Sequence, residues 1–276
     1  MAIQGERGSN SHMAALAMLG SVDVLPCVLS ADVMAALMER RVDAAVLPIE
    51  NSLHGSVAEH YDLLLTQPVR IDAESLLRVR HNLIAAPGVE LAEIRTVHSH
   101  PVALSQCRNF LAGFTQARAI PFYDTAGSVK HLMAWNLRDT AGIAPVLAAE
   151  EYQANVLLTG IEDHAQNYTR FHLIHRSSDP VPKGGAEADK LSVAFNVDHN
   201  PGTLVRALQR LADAGVNLTK IESRPVPGQP WEYVFFAEFR YEGETMAEAA
   251  LTALRLASHT LKELGRYPAA AADLLS

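Results

Sequence analysis

Between residues 22 and 144, short apolar runs alternate with stretches of helical periodicity, and this alternation restricts the chain to an α/β architecture. Residues 22–29 and 44–49 read as buried strands, with a helix over 33–38 between them. Residues 71–86 alternate apolar and polar side chains and predict one long strand or two. Strands are expected over 95–98, 119–123 and 141–144, with helices over 101–111 and 126–135. Such a pattern implies a largely parallel sheet, which presents ligand-binding groups at its strand ends. Residues 170–175 alternate again, with Phe171 and Leu173 on one face, as in a strand returning late to a sheet.

Residues 177–189 break the pattern. They carry two prolines and two glycines without apolar periodicity, and predict a linker. Beyond it, residues 191–197 read as a strand. Asn200 fits a helix cap, Pro201 its first turn and Gly215 its end, with Leu204, Leu208 and Leu211 at helical spacing between them. Strands over 216–223 and 233–239 flank a Pro/Gly-rich turn at 225–230. A helix over 246–257 and a short strand over 260–264 complete a βαββαβ, ferredoxin-like unit.

Bulk properties narrow the function. With 276 residues, 49% of them hydrophobic, the chain has material for one large or two medium cores. A net charge of -8 argues against nucleic acid as the main partner, while leaving room for a local anion site. Cys27 and Cys107 have no CxxC spacing, which suggests buried thiols in a reducing compartment. The apolar run at 13–19 is too short to span a bilayer and lacks a signal-peptide pattern, so a cytoplasmic protein without membrane contact is expected.

Several polar turns follow strands and lead towards helices. In Gly5-Glu6-Arg7-Gly8-Ser9-Asn10-Ser11-His12, backbone N–H groups at a helix start make an anion site, or Ser9, Asn10 or Ser11 serves only as a cap. Residues 48–57 place Glu50, Asn51, Ser52 and Gly55 directly after a buried strand, as ligand groups or as a polar loop. His98-Ser99-His100-Pro101 offers Ser99 as a carboxylate contact or an N-cap, and Asp124-Thr125-Ala126 offers the same pair of readings. No HExxH or paired-cysteine pattern points to a metal. In Asn167-Tyr168-Thr169-Arg170-Phe171, Arg170 could grip a carboxylate or pair with a structural acid.

Taken together, the Gly8–His12 turn, Pro48–Ser52, Ser99-His100-Pro101 with Gln106-Cys107, Asp124-Thr125-Ala126 and Asn167–Phe171 resemble the prephenate dehydratase family across essentially the whole chain. Asn200-Pro201-Gly202-Thr203-Leu204 and Glu222-Ser223-Arg224-Pro225 resemble the ACT regulatory domain. The resemblance implies a two-lobed catalytic domain over 1–177, like a type II periplasmic binding protein, a linker over 178–189 and an ACT domain over 190–276. It implies conversion of prephenate to phenylpyruvate without cofactor or metal, with Thr169 catalytic and Arg170 and Phe171 beside it. Substrate contacts would come from Ser9, Asn10, Ser11, Asn51, Ser52, Gly55, Ser99, His100, Gln106 and Thr125. Phenylalanine would bind at Asn200, Pro201, Gly202, Thr203, Leu204, Glu222, Ser223 and Arg224, between ACT domains of a homodimer or homotetramer. The family's proline after Gly5 is replaced here by Glu6, its His-Pro-Gln reads His100-Pro101-Val102, and Thr203 stands for an alanine. Arogenate as substrate, or a non-catalytic amino-acid sensor, are the competing expectations.

Overall fold

The computed structural model describes residues 1–181, 187–226 and 232–270. Parts of the expected linker (182–186) and of the Pro/Gly-rich turn (227–230) lie outside the described residues.

The chain opens with β1 (Ala2–Gln4), α1 (Asn10–Leu19), β2 (Leu25–Cys27), α2 (Ser30–Met38) and β3 (Ala45–Asn51). A short β4 (Gly55–Ser56), α3 (Ala58–Thr66) and β5 (Val69–Arg78) follow. β1 pairs in parallel with both β2 and β3. The first sheet runs β2-β1-β3-β11-β5, where β11 (Tyr168–Arg176) is the late-returning strand. Ile3, Val46, Leu47 and Ile49 are fully buried in it, as their apolar runs require.

The second sheet is built from β6 (Asn82–Ala85), β7 (Thr96–Ser99), β8 (Arg118–Pro121), β9 (Thr140–Ala144) and β10 (Asn155–Leu158), in the order β10-β6-β9-β7-β8. Its helices are α4 (Pro101–Gln106), α5 (Arg108–Gly113), α6 (Thr125–Ala134) and α7 (Val146–Tyr152). Strands β8, β7 and β9 are mutually parallel, but β6 and β10 run antiparallel to their neighbours. The expected parallel sheet is therefore two mixed sheets.

The run 71–86 is two strands, β5 and β6, divided at residues 79–81, one of the two expectations for it. The strand expected over 22–29 shrinks to three residues. The helix expected over 101–111 breaks at Cys107, because the Asp163 carboxylate accepts from the N–H groups of Arg108 and Asn109, at 3.0 Å each, and caps a new helix there. Cys107 itself is buried, and burial pushes its thiol up to about 12.

The last part comprises β12 (Lys190–Asn196), α8 (Thr203–Asp213), β13 (Asn217–Pro225), β14 (Tyr233–Arg240), α9 (Glu244–Arg255) and β15 (Thr260–Tyr267). The sheet order β13-β14-β12-β15 is antiparallel throughout and realises the expected βαββαβ pattern. Leu191, Val193, Phe195 and Phe239 pack against Ala207, Leu211, Leu251 and Leu254 of the two helices. One capping expectation fails. Helix α8 begins at Thr203, after Asn200 and Pro201, because the Thr203 hydroxyl donates back to Asp198 O (2.6 Å) and Asn200 O (2.8 Å). Gly202, at φ 81, makes the reversal that a side chain would resist.

The chain forms two compact units, residues 1–56 with 75–171, and 57–74 with the segment from 172 onward. In the second unit Lys262 Nζ donates to Leu64 O, Leu65 O and Gln67 O, at 2.6–2.9 Å, and satisfies the C-terminal carbonyls of α3. Gly265 is required by close backbone approach, since a Cβ there would lie 2.1 Å from Ile71 O. Lys190 bridges Glu74 (2.8 Å) and Glu238 (2.9 Å) in the interior, with both carboxylate side chains 5% exposed. Among the described residues no helix is long and apolar enough to cross a membrane.

Candidate active site

The first unit gathers its polar groups at two places. At the first, the end of β3 meets the start of β11. Asn51 Nδ2 donates to Thr169 Oγ1 (2.9 Å), Asn167 Oδ1 (2.7 Å) and Tyr168 O (3.2 Å). Its Oδ1 accepts from the N–H groups of Leu53 (3.0 Å) and His54 (3.1 Å), an Asx-type turn that fixes the loop. Ser52 adds two bonds to Tyr168, from its own N–H to the carbonyl and from the Tyr168 N–H to its hydroxyl. Thr169 is thus held by β3 through its oxygen. An oxygen that accepts a hydrogen bond becomes a better O–H donor, and the Thr169 proton remains available to donate.

A second-sheet residue reaches the same place. Gln106, the last residue of α4, lies with Nε2 3.2 Å from His54 Nδ1 and Oε1 2.7 Å from His81 Nε2. Thr169, Asn51, His54 and Gln106 therefore converge where the two sheets approach.

The second place is the turn before α1. Ser9 is its N-cap, accepting from the His12 N–H at 3.4 Å, so the capping reading of this turn holds for Ser9. Asn10 and Ser11 open the helix, and Gly8 packs against the Ala148 backbone too closely for any Cβ. The Glu6 carboxylate accepts from Tyr123 Oη (2.8 Å) and Lys130 Nζ (2.9 Å), both on the side of the second sheet. Asp124 caps α6 through the Gly127 N–H at 2.6 Å, and Thr125 is the first helical residue.

Burial raises the Asp124 pKa above 3.8, aided by the nearby Glu6 carboxylate and opposed by N–H donation from Gly127 and Glu6. The folded protein then holds the Asp124 proton more tightly than the unfolded chain. Stability from this group is complete below pH 3.8 and falls as pH rises through the raised value. Asp124→Asn, which can still cap the helix, should flatten that part of the urea-unfolding stability profile above pH 3.8.

Three of the expected contact residues have partners or a core place within the protein. Phe171 is 1% exposed and belongs to the core of β11, so it offers no surface to a ligand. The Arg170 guanidinium, also buried, is engaged by Glu50 Oε2 at 2.9 Å, which is the structural-acid alternative. Ser99 is completely buried and donates its hydroxyl to Ile143 O at 2.6 Å; His100 caps α4 in its place, through Nδ1 to the Val102 N–H. Ser52, in the β3–β4 loop, and Gly55, the first residue of β4 and paired with Asn51, are exposed.

In the second unit, Asn200, Pro201, Gly202, Thr203 and Leu204 line a cavity of about 510 Å³ with Tyr233, Phe235 and His259. Glu222, Ser223 and Arg224 do not line it. Arg224 instead grips Asp62 (2.7 Å), and Glu222 lies 3.3 Å from Lys220. Glu6, Tyr123, Lys130 and His81 join these networks without any signal in the local sequence, because their partners are 25 to 124 positions away.

A family model described as prephenate dehydratase matches residues 1–179. An Arabidopsis thaliana protein named arogenate dehydratase/prephenate dehydratase 2, chloroplastic, is 38% identical over 97% of this chain and 72% of its own. Among solved structures, that of GqqA, described as a novel type of quorum quenching acylase, has a TM-score of 0.87 at 33% identity, covering 97% of each chain. The prephenate dehydratase of Arthrobacter aurescens in complex with L-Phe has a TM-score of 0.85 at 31% identity, over 99% of this chain and 91% of that one. Sequence and fold agree over nearly the full length, and the chain belongs to the prephenate dehydratase family.

Proposed function

We propose that this protein is a prephenate dehydratase. Loss of carbon dioxide from the ring carbon supplies the electron pair that aromatises the ring and expels the hydroxyl at the opposite carbon. Carbon dioxide, phenylpyruvate and hydroxide result, and the hydroxide needs a proton or a strong donor as it departs. The observation that carries the reading is Thr169 Oγ1, which accepts from Asn51 and donates to no acceptor among the described residues, at the place where Gln106 and His54 also arrive. A free threonine hydroxyl is too weak an acid to protonate early. Its hydrogen bond strengthens as charge builds on the leaving oxygen, and this difference is what lowers the barrier. The driving force resides in the substrate, so this scheme asks for no redox cofactor. The N–H groups of Asn10 and Ser11 at the start of α1 and of Thr125 at the start of α6 are suited to the substrate carboxylates.

Residues 1–177 would form the catalytic part, 178–189 the linker and 190–276 a regulatory domain of the ACT type. The cavity bordered by Asn200–Leu204 has the size and mixed lining for a free amino acid, and phenylalanine is the effector we assign to it. Assembly of two or four chains through this domain, and a cytoplasmic location, complete the proposal. Gly202→Val should raise the phenylalanine concentration for half-inhibition at least tenfold, read as the ratio of rates with and without phenylalanine in one preparation. An unchanged ratio places the effector elsewhere.

Arogenate differs only in carrying an amino group for the keto group, and the Arabidopsis relative's name includes both activities. Incubation with each substrate, following phenylpyruvate or phenylalanine formation, decides between them. Binding of phenylalanine with turnover of neither would establish a sensor instead. Acyl hydrolysis, the activity by which GqqA is described, would require an activated nucleophile. Ser52 and Ser99 donate to backbone carbonyls and Ser9 caps a helix, so none of the three is poised against a histidine side chain.

A further inference from the structure

Gln106 is a group of the candidate site whose two ends have opposite chemistry. Its amide can offer N–H donors or a carbonyl oxygen to the open side, and which it offers decides whether an anion is welcomed or repelled there. Nothing on α4 itself makes that choice. His81 does. Its ring is 2% exposed, and Nε2 lies 2.7 Å from Gln106 Oε1. Its backbone N–H is tied to Glu162 Oε2 at 2.9 Å, so the ring cannot easily withdraw. The other ring nitrogen, Nδ1, is buried and meets no hydrogen-bond partner among the described residues.

A neutral imidazole has one N–H to place, and burial favours the neutral form of His81 by pushing its pKa down. With the proton on Nε2, His81 donates to Gln106 Oε1 and leaves only a lone pair unmatched at Nδ1. With the proton on Nδ1, a buried N–H is orphaned, and the amide must also turn its oxygen outward to give Nε2 a donor. Burying an unmatched N–H costs more than burying an unmatched imidazole lone pair, so the first arrangement is preferred. It leaves the Gln106 NH2 facing out. One N–H then meets His54 Nδ1 at 3.2 Å. Asn51 Oδ1 lies at the same 3.2 Å from that nitrogen but already accepts from two backbone N–H groups, so Gln106 is the donor that assigns the His54 proton to Nε2.

We infer that His81 is a positioning residue: it orients the Gln106 amide so that the site beside Thr169 presents the remaining Gln106 N–H, and no carbonyl oxygen, to an anionic group of the bound substrate. This rests on the dehydratase reading for its consequence, though not for its geometry. Two measurements on the full chain test it. Long-range 1H–15N NMR of the histidine rings should show His81 protonated at Nε2 and bare at Nδ1; the opposite tautomer overturns the inference whatever the activity. In the kinetic arm, wild-type turnover of prephenate and arogenate is measured first, and failure on both sinks the dehydratase reading while leaving the NMR result to judge His81. Given turnover, His81→Phe should raise KM at least tenfold with kcat changed less than threefold. His81→Gln, which restores an N–H donor, should recover most of the loss. A His81→Phe variant with KM within twofold of wild type, or equal losses in both variants, reduces His81 to a packing residue.

Discussion

Thr169→Ala should lower kcat by about a hundred- to a thousandfold, the loss typical of removing one donor aimed at developing negative charge. KM should change far less, because the hydroxyl contributes mostly when charge has formed on the leaving oxygen. Folding should be nearly unaffected. Thr169 is partly exposed and its oxygen serves one Asn51 N–H, whose other acceptors, Asn167 Oδ1 and Tyr168 O, remain in place. Thr169→Ser keeps the hydroxyl and should recover much of the rate. Single-turnover rates beside urea-unfolding curves separate the two effects. Wild-type kcat in the alanine variant would remove this side chain from the reaction and, with it, the scheme proposed for the site.

The largest stability effect is expected at Lys190. Its ammonium lies between Glu74 and Glu238, at 2.8 and 2.9 Å, with all three side chains 8% exposed or less. Lys190→Met fills the space but removes the ammonium between two buried carboxylates, of which Glu74 keeps the Ala270 N–H at 2.9 Å and His172 Nε2 at 3.9 Å, at a cost of about 3–5 kcal/mol. The variant's carboxylates will hold protons above the usual carboxylate range, because burial and like charge both oppose ionisation. Its deficit should therefore be largest at neutral pH and shrink as pH falls, since protonation removes the repulsion. Urea unfolding of both proteins between about pH 5 and pH 8 is the measurement, spanning the range in which such carboxylates titrate. A deficit under about 1 kcal/mol at neutral pH would mean that the bridge adds little beyond what packing supplies. The triple substitution with Glu74→Leu and Glu238→Leu should be much more stable than Lys190→Met alone.

The hydrophobic pattern marked the elements that lie wholly in one interior. Residues 44–49 hold alanine, valine, leucine and isoleucine without a charge, and β3, from Ala45, is buried along that run except at Pro48. The βαββαβ unit was legible for the same reason, with apolar alternation in its strands and leucines at helical spacing in α8. The turn residues were legible too, in part. Ser9 and Asp124 cap helices as their types allow, and Gly8 sits where no side chain fits. The break at Cys107 was not legible, since the carboxylate that caps the new helix belongs to Asp163, in another segment.

The candidate site divides the same way. Local chemistry marked Asn51 as a ligand group or a loop residue after a buried strand, and Thr169 stood out through the family resemblance, since a β-branched residue also suits a strand start. Local chemistry could not decide which side chains stay free. Arg170 is claimed by Glu50, Ser99 by Ile143 O, and Phe171 by the core, and each partner arrives from a different stretch of chain. The sequence by itself determined the α/β class, the βαββαβ order of the last six elements and the residue types that could do chemistry, because those follow from periodicity and side-chain functional groups. Only the tertiary structure decided which of those groups meet, which way Gln106 faces and which charges are neutralised, because these depend on partners that folding alone brings within bonding distance.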